Sequence, residues 1–600
     1  MSDKVSEKII KIGGASGYWG DSSMATPQFL QAGGVDYIVY DYLAEITMSI
    51  MARTRAKNPD TGYARDFVDP VMSHNLPEIA RQGVKIISNA GGVNPAACGD
   101  AVRALISENG LNLKVAVVLG DDLVARKDTL STPEMYTGED FPEASRLASI
   151  NAYLGAFPIA RALDEGADIV ITGRCVDSAV TLAAGIHEFG WSETEWNLLS
   201  SGTLAGHILE CGAQATGGNF TDWQKVKNIE DIGYPITELR ADGSFDVVKA
   251  KGTGGLINIG TVTEQLVYEL GDPQAYVVPD VVCDFSGVTI TQKGDDRVHI
   301  TGARGYPATD TYKVSATYKD GWRGGAFRPF VGIDADKRAQ AYVDAIFKRA
   351  RTALRASNLG DYTETSVEIL GAESQYGAYR NIESPREVVL QYGAKHPESA
   401  GISILLKEAA GLSLAKPSGG IAGFSGSRPK PSPVVRLFSF LTPKTNISIQ
   451  IDFGDRTVAF EPATTGKIDP TAIQRPAAPK APAPDSNMVE VRLIDLAWGR
   501  SGDKGDKANI GIVARRPAYL PYIWAALSAE VVAARFAHFL KGDVECFLMP
   551  GPNAINFLLH DVLGGGGIAS LRNDPQGKGF AQILLDHPVE IPNSLAETLA

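Results

Sequence analysis

KIIKIGGASGYWGDSS, residues 8–23, carries the pattern on which the first third of the chain is built. Ile9, Ile10 and Ile12 form a short apolar run stopped by Gly13 and Gly14, which predicts a buried parallel strand over residues 8–12. Gly13, Gly14, Gly17 and Gly20 then permit a tight turn, and Asp21, Ser22 and Ser23 offer caps for a helix running to Ala32. Backbone amides freed in such a turn can hold an anion, which makes Gly13, Gly14, Ser16 and Gly17 candidate substrate-binding residues. A tight turn with no ligand explains the same glycines equally well. The spacing is neither G-x-G-x-x-G nor G-x-x-x-x-G-K-[ST], so nicotinamide and P-loop readings lose their specific support.

The unit repeats. Apolar runs over residues 35–40, 84–88, 114–119 and 167–172 predict four further strands, with helices over 43–56, 66–82, from Pro95 towards Glu108, and over 150–166. Five strands alternating with helices predict a parallel α/β layer, Rossmann-like and open rather than an eight-stranded barrel. Such a sheet gathers its strand exits on one edge, where ligands of α/β proteins bind. The exits supply Asp41, Glu45, Asp121, Asp122 and Asp177 as acid–base candidates. Asn89, Gly91, Asn94 and Arg174 join the substrate-binding candidates, Arg174 as an anion anchor. Paired carboxylates there can also hold Mg²⁺. Against this stands the plain reading that Asp and Asn are good helix caps.

From about residue 216 the pattern changes to a mixed α+β region reaching 461. Residues 237–248 and 288–300 read as hairpins, 313–320 and 362–370 as strands, and 334–356 as a long helix. Residues 418–433 are too rich in Gly and Pro for regular structure, and their Gly-Phe-Ser-Gly-Ser run is no nucleophile elbow. Residues 462–487 form a Pro/Ala-rich linker. A smaller domain follows at 488–600, with strands expected over 489–494, 510–514, 544–549 and 580–585, and helices over 521–540 and 555–563. That succession predicts a ferredoxin-like sandwich. Its charged loop, Arg500 to Asn509, interleaves Arg500, Lys504 and two Asp with glycine, and suits phosphate binding or an interface.

The chain's 600 residues exceed one core, and its net charge of −13 excludes a nucleic-acid binder, which needs clustered Lys and Arg. No apolar stretch is long enough for a membrane span. Five cysteines without a C-x-x-C predict reduced thiols and a cytoplasmic protein, and eight histidines show no zinc spacing. A linked small domain with apolar faces predicts a homo-oligomer.

IGGASGYWGDS, YDYLAE, ISNAGGVNP, VLGDD and TGRCVDSA in the first half, with GRSGDKGDKANIG in the second, resemble the acyclic terpene utilisation family AtuA. The resemblance implies a cytoplasmic protein of citronellol and geraniol degradation acting on a branched acyl-CoA, with CoA as a substrate moiety rather than a resident cofactor. A 3-hydroxyacyl-CoA lyase is the expected activity. A hydratase and a non-catalytic acyl-CoA-binding scaffold are the alternatives. The resemblance assigns no catalytic residues.

Overall fold

The computed structural model describes residues 8–422, 428–464, 468–469, 472–482 and 485–599. The Gly-Phe-Ser-Gly-Ser run, 423–427, lies outside the described residues. The first third runs β1 (Ile9–Gly14), α1 (Ala25–Ala32), β2 (Tyr37–Tyr40), α2 (Glu45–Arg55), α3 (Ser73–Gln82), β3 (Lys85–Ser88), α4 (Pro95–Glu108), β4 (Val115–Leu119), β5 (Leu147–Ala152), α5 (Phe157–Asp164), β6 (Ile169–Thr172), α6 (Ala179–Phe189) and α7 (Trp196–Leu209). Strands β1, β2, β3, β6 and β4 lie side by side in that order, all parallel.

Both faces of this layer are covered, which is why its strands read as continuous apolar runs. Ile38, Tyr40, Ile86, Val115 and Val117 point to one core with Phe29 of α1, Met51 of α2, Ile79 of α3 and Val102 of α4. Their chain neighbours Tyr37, Val39, Ile87, Ala116 and Val118 point to the other, with Ile159 of α5, Leu182 of α6 and Leu204 of α7. Each fully buried aliphatic side chain contributes about 1.5–3 kcal/mol.

The sheet does not stop at the parallel strands. On one side β1 pairs antiparallel with β7 (Pro235–Arg240), followed by β8 (Phe245–Lys249) and the hairpin Thr289–Gly294/Arg297–Thr301; on the other β4 pairs with Ile449–Asp452, which pairs with Thr457–Phe460. The result is one eleven-stranded α/β sheet drawing on residues before and after 215.

The expected helix over 150–166 is corrected. Its first part is strand β5, recruited into a second sheet by the long strand Thr311–Val331: Ala152 faces Val314 and Ile150 faces Ala316. Only from Phe157 does the chain turn helical. Strand Thr311–Val331 also runs past the glycines 321, 324 and 325, where a shorter strand was expected, and pairs with Glu387–His396 and Ser432–Pro443. Helices Ala335–Ala356 and Ser399–Gly411 cover one face of this sheet. Within 66–82, Asp69 leaves helical geometry and α3 starts only at Ser73.

Residues 488–599 have their own core under a four-stranded antiparallel sheet, ordered Ala497–Lys504, Lys507–Ala514, Ala554–Leu559, Val544–Met549. Three expectations fail here. Residues 555–563 are strand Ala554–Leu559 rather than helix, because both neighbours in the sheet bond to it. Residues 580–585 are helix Phe580–Leu584, and the last strand is Pro588–Pro592. The stretch 521–540 is two helices, the second restarted at Ser528, whose side chain accepts from the Val531 amide. The charged loop 500–509 is itself the end of a hairpin that turns at Gly505–Asp506.

The Pro/Ala-rich segment docks on both neighbours. Arg475 pairs bidentately with Asp272 at 2.7 and 2.6 Å and lies 5.3 Å over the Phe547 ring. Among the described residues, no helix is long and apolar enough to cross a membrane.

Candidate functional site

The connections leaving β3 and β6 go to opposite faces: α4 belongs to the core of one face, α6 to the other. This switch in winding opens the sheet's carboxyl edge at the two adjacent strands. Arg174 sits just beyond β6, 4 % exposed. Its guanidinium stacks 4.2 Å from the Tyr153 ring centroid and donates through Nη1 to Asp177 Oδ1 (2.8 Å) and the Cys175 carbonyl (3.1 Å), while Nε is buried with no partner. Tyr153 follows β5, and its amide donates to the Lys313 carbonyl at 2.9 Å. The second sheet thus delivers Tyr153 and Lys313 to the edge of the first.

Asp41, just past β2, is buried. Its Oδ1 accepts from Asn89 Nδ2 at 2.5 Å, its carbonyl accepts from the Ser16 hydroxyl at 3.1 Å, and Asn89 Oδ1 accepts from the Tyr42 amide. Burial pushes the Asp41 carboxyl well above the ordinary range and the Asp177 charge adds to this, against the pull of Arg174 and Asn89. Glu45, at the start of α2, goes the other way. Burial raises it, but Lys313, Arg174 and the Tyr153 hydroxyl, which donates to it at 2.5 Å, bring it down to about 2. Two carboxyls at one edge are therefore driven apart, one towards keeping a proton and one towards losing it.

Three further elements complete it, two of them absent from the sequence-based site and the third the charged hairpin that carries the candidate Lys504. At the end of α7, His207 Nδ1 lies 3.0 Å from Glu210 Oε1 while Nε2 donates to the Leu266 carbonyl at 3.0 Å. Burial raises Glu210 against the opposing pull of His207, and Glu210 Oε2 is buried without a partner. After Leu266, Glu269 takes an ion pair from Lys578 at 2.6 Å; burial works against its charge, but Lys578 and Lys504 hold it below the usual range. Lys504, from the C-terminal hairpin, has its pKa lifted despite burial by Tyr276, Glu269, Glu210 and Asp177. Burial and Glu269 push Asp503 beside it up to about 6.

Asp121 is one step away. Its Oδ2 accepts from the Arg174 amide and Asn151 Nδ2, both at 2.8 Å, and burial pushes it up to about 7. It positions the backbone that carries Arg174.

Several sequence candidates lie elsewhere in the chemistry. Asp122 is exposed, capping Val124 and reaching Arg55 at 3.4 Å. Asn94 Nδ2 holds the carbonyls of Pro59 and Thr61. In the glycine turn, the Asp21 carboxylate takes the place foreseen for an external anion, accepting from the Gly17 and Ser22 amides at 2.9 and 2.6 Å. A Cβ on Gly13 would strike Phe29, one on Gly14 the Leu209 carbonyl, and one on Gly17 Cys211, so protein atoms fill that cradle. Helix α1 starts at Ala25 without a side-chain cap. Gly91 lets β3 and β6 close up, its amide donating to the Thr172 carbonyl at 3.0 Å. Arg500 is consumed by the domain interface, donating to Glu264 (3.1 Å), Gln214 (2.6 Å) and the Gly218 carbonyl (3.0 Å). Arg515 to Asp222 at 2.7 and 2.6 Å secures the same interface. Among the described residues, no three His, Cys, Asp or Glu side chains are grouped to hold a metal ion.

Sequence signals for the missing members were faint: His207 lies within and Glu210 just past a helix that carries no catalytic motif, and Lys313 and Tyr153 meet only through long-range strand pairing. No curated protein and no solved structure shows significant similarity to the chain. Family models do match both halves, that of the acyclic terpene utilisation family protein AtuA over residues 10–453 and that of the AtuA ferredoxin-like domain over 491–590. With three quarters of its length inside the first of these, the chain belongs to the AtuA family of acyclic terpene utilisation, and its C-terminal unit is the family's ferredoxin-like domain.

Proposed function

We propose that the protein is a cytoplasmic lyase that cleaves a branched 3-hydroxyacyl-CoA thioester in the breakdown of acyclic terpenes or branched acids, using the parallel strands as a Rossmann-like layer with the substrate at the β3–β6 edge. The observation that carries the reading is the buried Asp41 carboxyl, held by Asn89 beside the Arg174 guanidinium and pushed well above the ordinary carboxylate range. A carboxyl raised in this way at a strand end is the kind of group that serves as acid or base. In its ionised form Asp41 takes the proton of the 3-hydroxyl. The C2–C3 bond then breaks, its electron pair passes into the thioester enolate, and Asp41 returns the proton to C2. Arg174 and Lys504 supply positive charge to the enolate oxygen, while Glu45 stays ionised and keeps Tyr153 and Lys313 in place.

In a second reading the same carboxyl, protonated, gives its proton to the departing hydroxyl while ionised Glu45 takes the C2 proton, so that water leaves and a C2–C3 double bond forms, which makes the enzyme a hydratase. Mass spectrometry of the purified protein with branched 3-hydroxyacyl- and enoyl-CoA thioesters, with and without Mg²⁺, separates the two. A shorter acyl-CoA released together with a ketone or aldehyde supports the lyase, and a change of one water the hydratase. An unchanged panel would sink both and favour a scaffold role.

A further inference from the structure

The second sheet carries a cavity of 770 Å³ on the face opposite its two helices, bounded by residues 323–329, 391–393 and 570–572. Side chains alternate along the strand: a Cβ on Gly324 would meet Ile402 of the helical layer, so Arg323, Gly325 and Phe327 face the cavity. Gly325 pairs with Gly393 across the strands, which leaves the floor without side chains, and a Cβ on Gly393 would touch Leu571 only at 3.4 Å. The volume is that of a small-molecule site.

The charge of this cavity runs against that of the chain. Arg323, Lys430 and Arg572 line it, and no Asp or Glu does, in a protein of net charge −13, whereas Arg328, opposite Leu390, belongs to the helix-covered face. Arg323 donates to the Ser570 carbonyl at 2.8 Å, and Arg572 holds the carbonyls of Val562 and Phe539. These are neutral acceptors, whereas Arg297, Arg500 and Arg515 elsewhere are matched by carboxylates. Burial lowers the proton affinity of Arg323, so its charge is retained at a cost that a bound anion would offset, whereas at Arg572 the carboxylates of Asp506, Glu364, Glu368 and Asp561 work against the same effect. Phe327 is 58 % exposed beside them, and Oε1 of Gln391, which also lines the cavity, is buried without a partner.

We propose that this cavity is a second ligand site, taking a phosphorylated small molecule of nucleotide size. Its phosphates lie against Arg323 and Lys430, whose donors suit phosphate oxygens. Its flat body lies on Phe327, and Gln391 accepts from a ligand amino or hydroxyl group. The site is separate from the Asp41 edge: along the shared strand, Lys313 and Arg323 are about 30 Å apart at about 3.3 Å per residue.

Calorimetry on the full-length protein, with ADP and with inorganic pyrophosphate as probes, tests this. ADP is expected to bind one to one, more tightly than pyrophosphate, and at least about tenfold more weakly to Arg323→Gln/Lys430→Gln and to Gly393→Phe, which fills the floor without changing charge. Asp41→Asn is expected to bind ADP as the wild type does, so the result stands apart from the proposed lyase reaction. Absence of ADP binding, affinity indifferent to both variants, or equal affinity for pyrophosphate would overturn the proposal. So would self-association abolished by the charge variant with no ADP bound, which would give this face to the acidic surface of a second copy.

Discussion

Asn89 Nδ2 donates to Asp41 Oδ1 over 2.5 Å while its own oxygen accepts the Tyr42 amide, so the side chain that orients the candidate acid–base group is itself fixed by the backbone that follows it. Asp41→Asn keeps an acceptor at Oδ1 and removes only the titration. Turnover is expected to fall at least about 100-fold with an unchanged circular dichroism spectrum. Asn89→Ala removes a donor that favours the ionised form, so the acidic limb of the kcat/KM profile is expected to move to higher pH. An unmoved limb would disconnect Asn89 from catalysis.

Asp121 makes stability depend on pH. Its folded pKa of about 7 lies above the ordinary carboxylate value, so between about pH 4 and 7 the native state holds a proton that the unfolded chain has lost. Stability is therefore greatest below that window and falls as pH rises through it, by at most about 4 kcal/mol. Asp121→Asn keeps an acceptor for Asn151 and the Arg174 amide and abolishes this contribution. Urea unfolding at pH 5 and pH 8 is expected to show a smaller decline for the variant; equal declines would reject the assignment.

Arg500 and Glu264 form a buried ion pair at 3.0 Å between the C-terminal domain and the helix Ile259–Leu266. Arg500→Met leaves the carboxylate uncompensated, for an expected loss of about 3–5 kcal/mol in thermal unfolding. Adding Glu264→Gln is expected to recover part of that loss. If the double variant is no better than the single one, the charge pair is not the cause.

A methyl group on Gly91 would lie 2.4 Å from the Thr172 carbonyl oxygen and 2.5 Å from Pro95 Cβ. Gly91→Ala is expected to cost about 1–3 kcal/mol and to lower activity by spreading β3 from β6. Chemical denaturation reads the first effect and turnover of the still-folded fraction the second.

The parallel strands were legible because burial on both faces leaves an unbroken apolar run between glycines, and the hairpin Pro235–Lys249 because Asp242–Gly243 marks its turn. What was hidden depends on partners far away in sequence. Residues 147–152, LASINA, carry no strand pattern of their own and become β5 only because Thr311–Val331 offers them a free edge. Residues 554–559, AINFLL, are equally apolar as helix or strand, and two flanking strands decide the matter. The site followed the same division: Asp41, Glu45, Asp177 and Arg174 leave the ends of recognisable strands or open the next helix, whereas Tyr153, Glu210 and Lys313 reach them through tertiary pairing. Asp21 was expected as a cap of α1, which starts without one, and its role as the turn's own counter-ion required the folded loop.

Lys504 meets Asp177 and Glu210 from a hairpin that follows them far along the chain. A ribosome adds about 5–20 residues per second, and the stretch between them takes roughly half a minute to emerge. During that interval the nascent edge holds Asp41, Glu45, Asp177 and Glu210 with no lysine from the C-terminal hairpin to balance them. The balancing charge of Lys504 therefore joins this edge only after the intervening β-rich residues have been made.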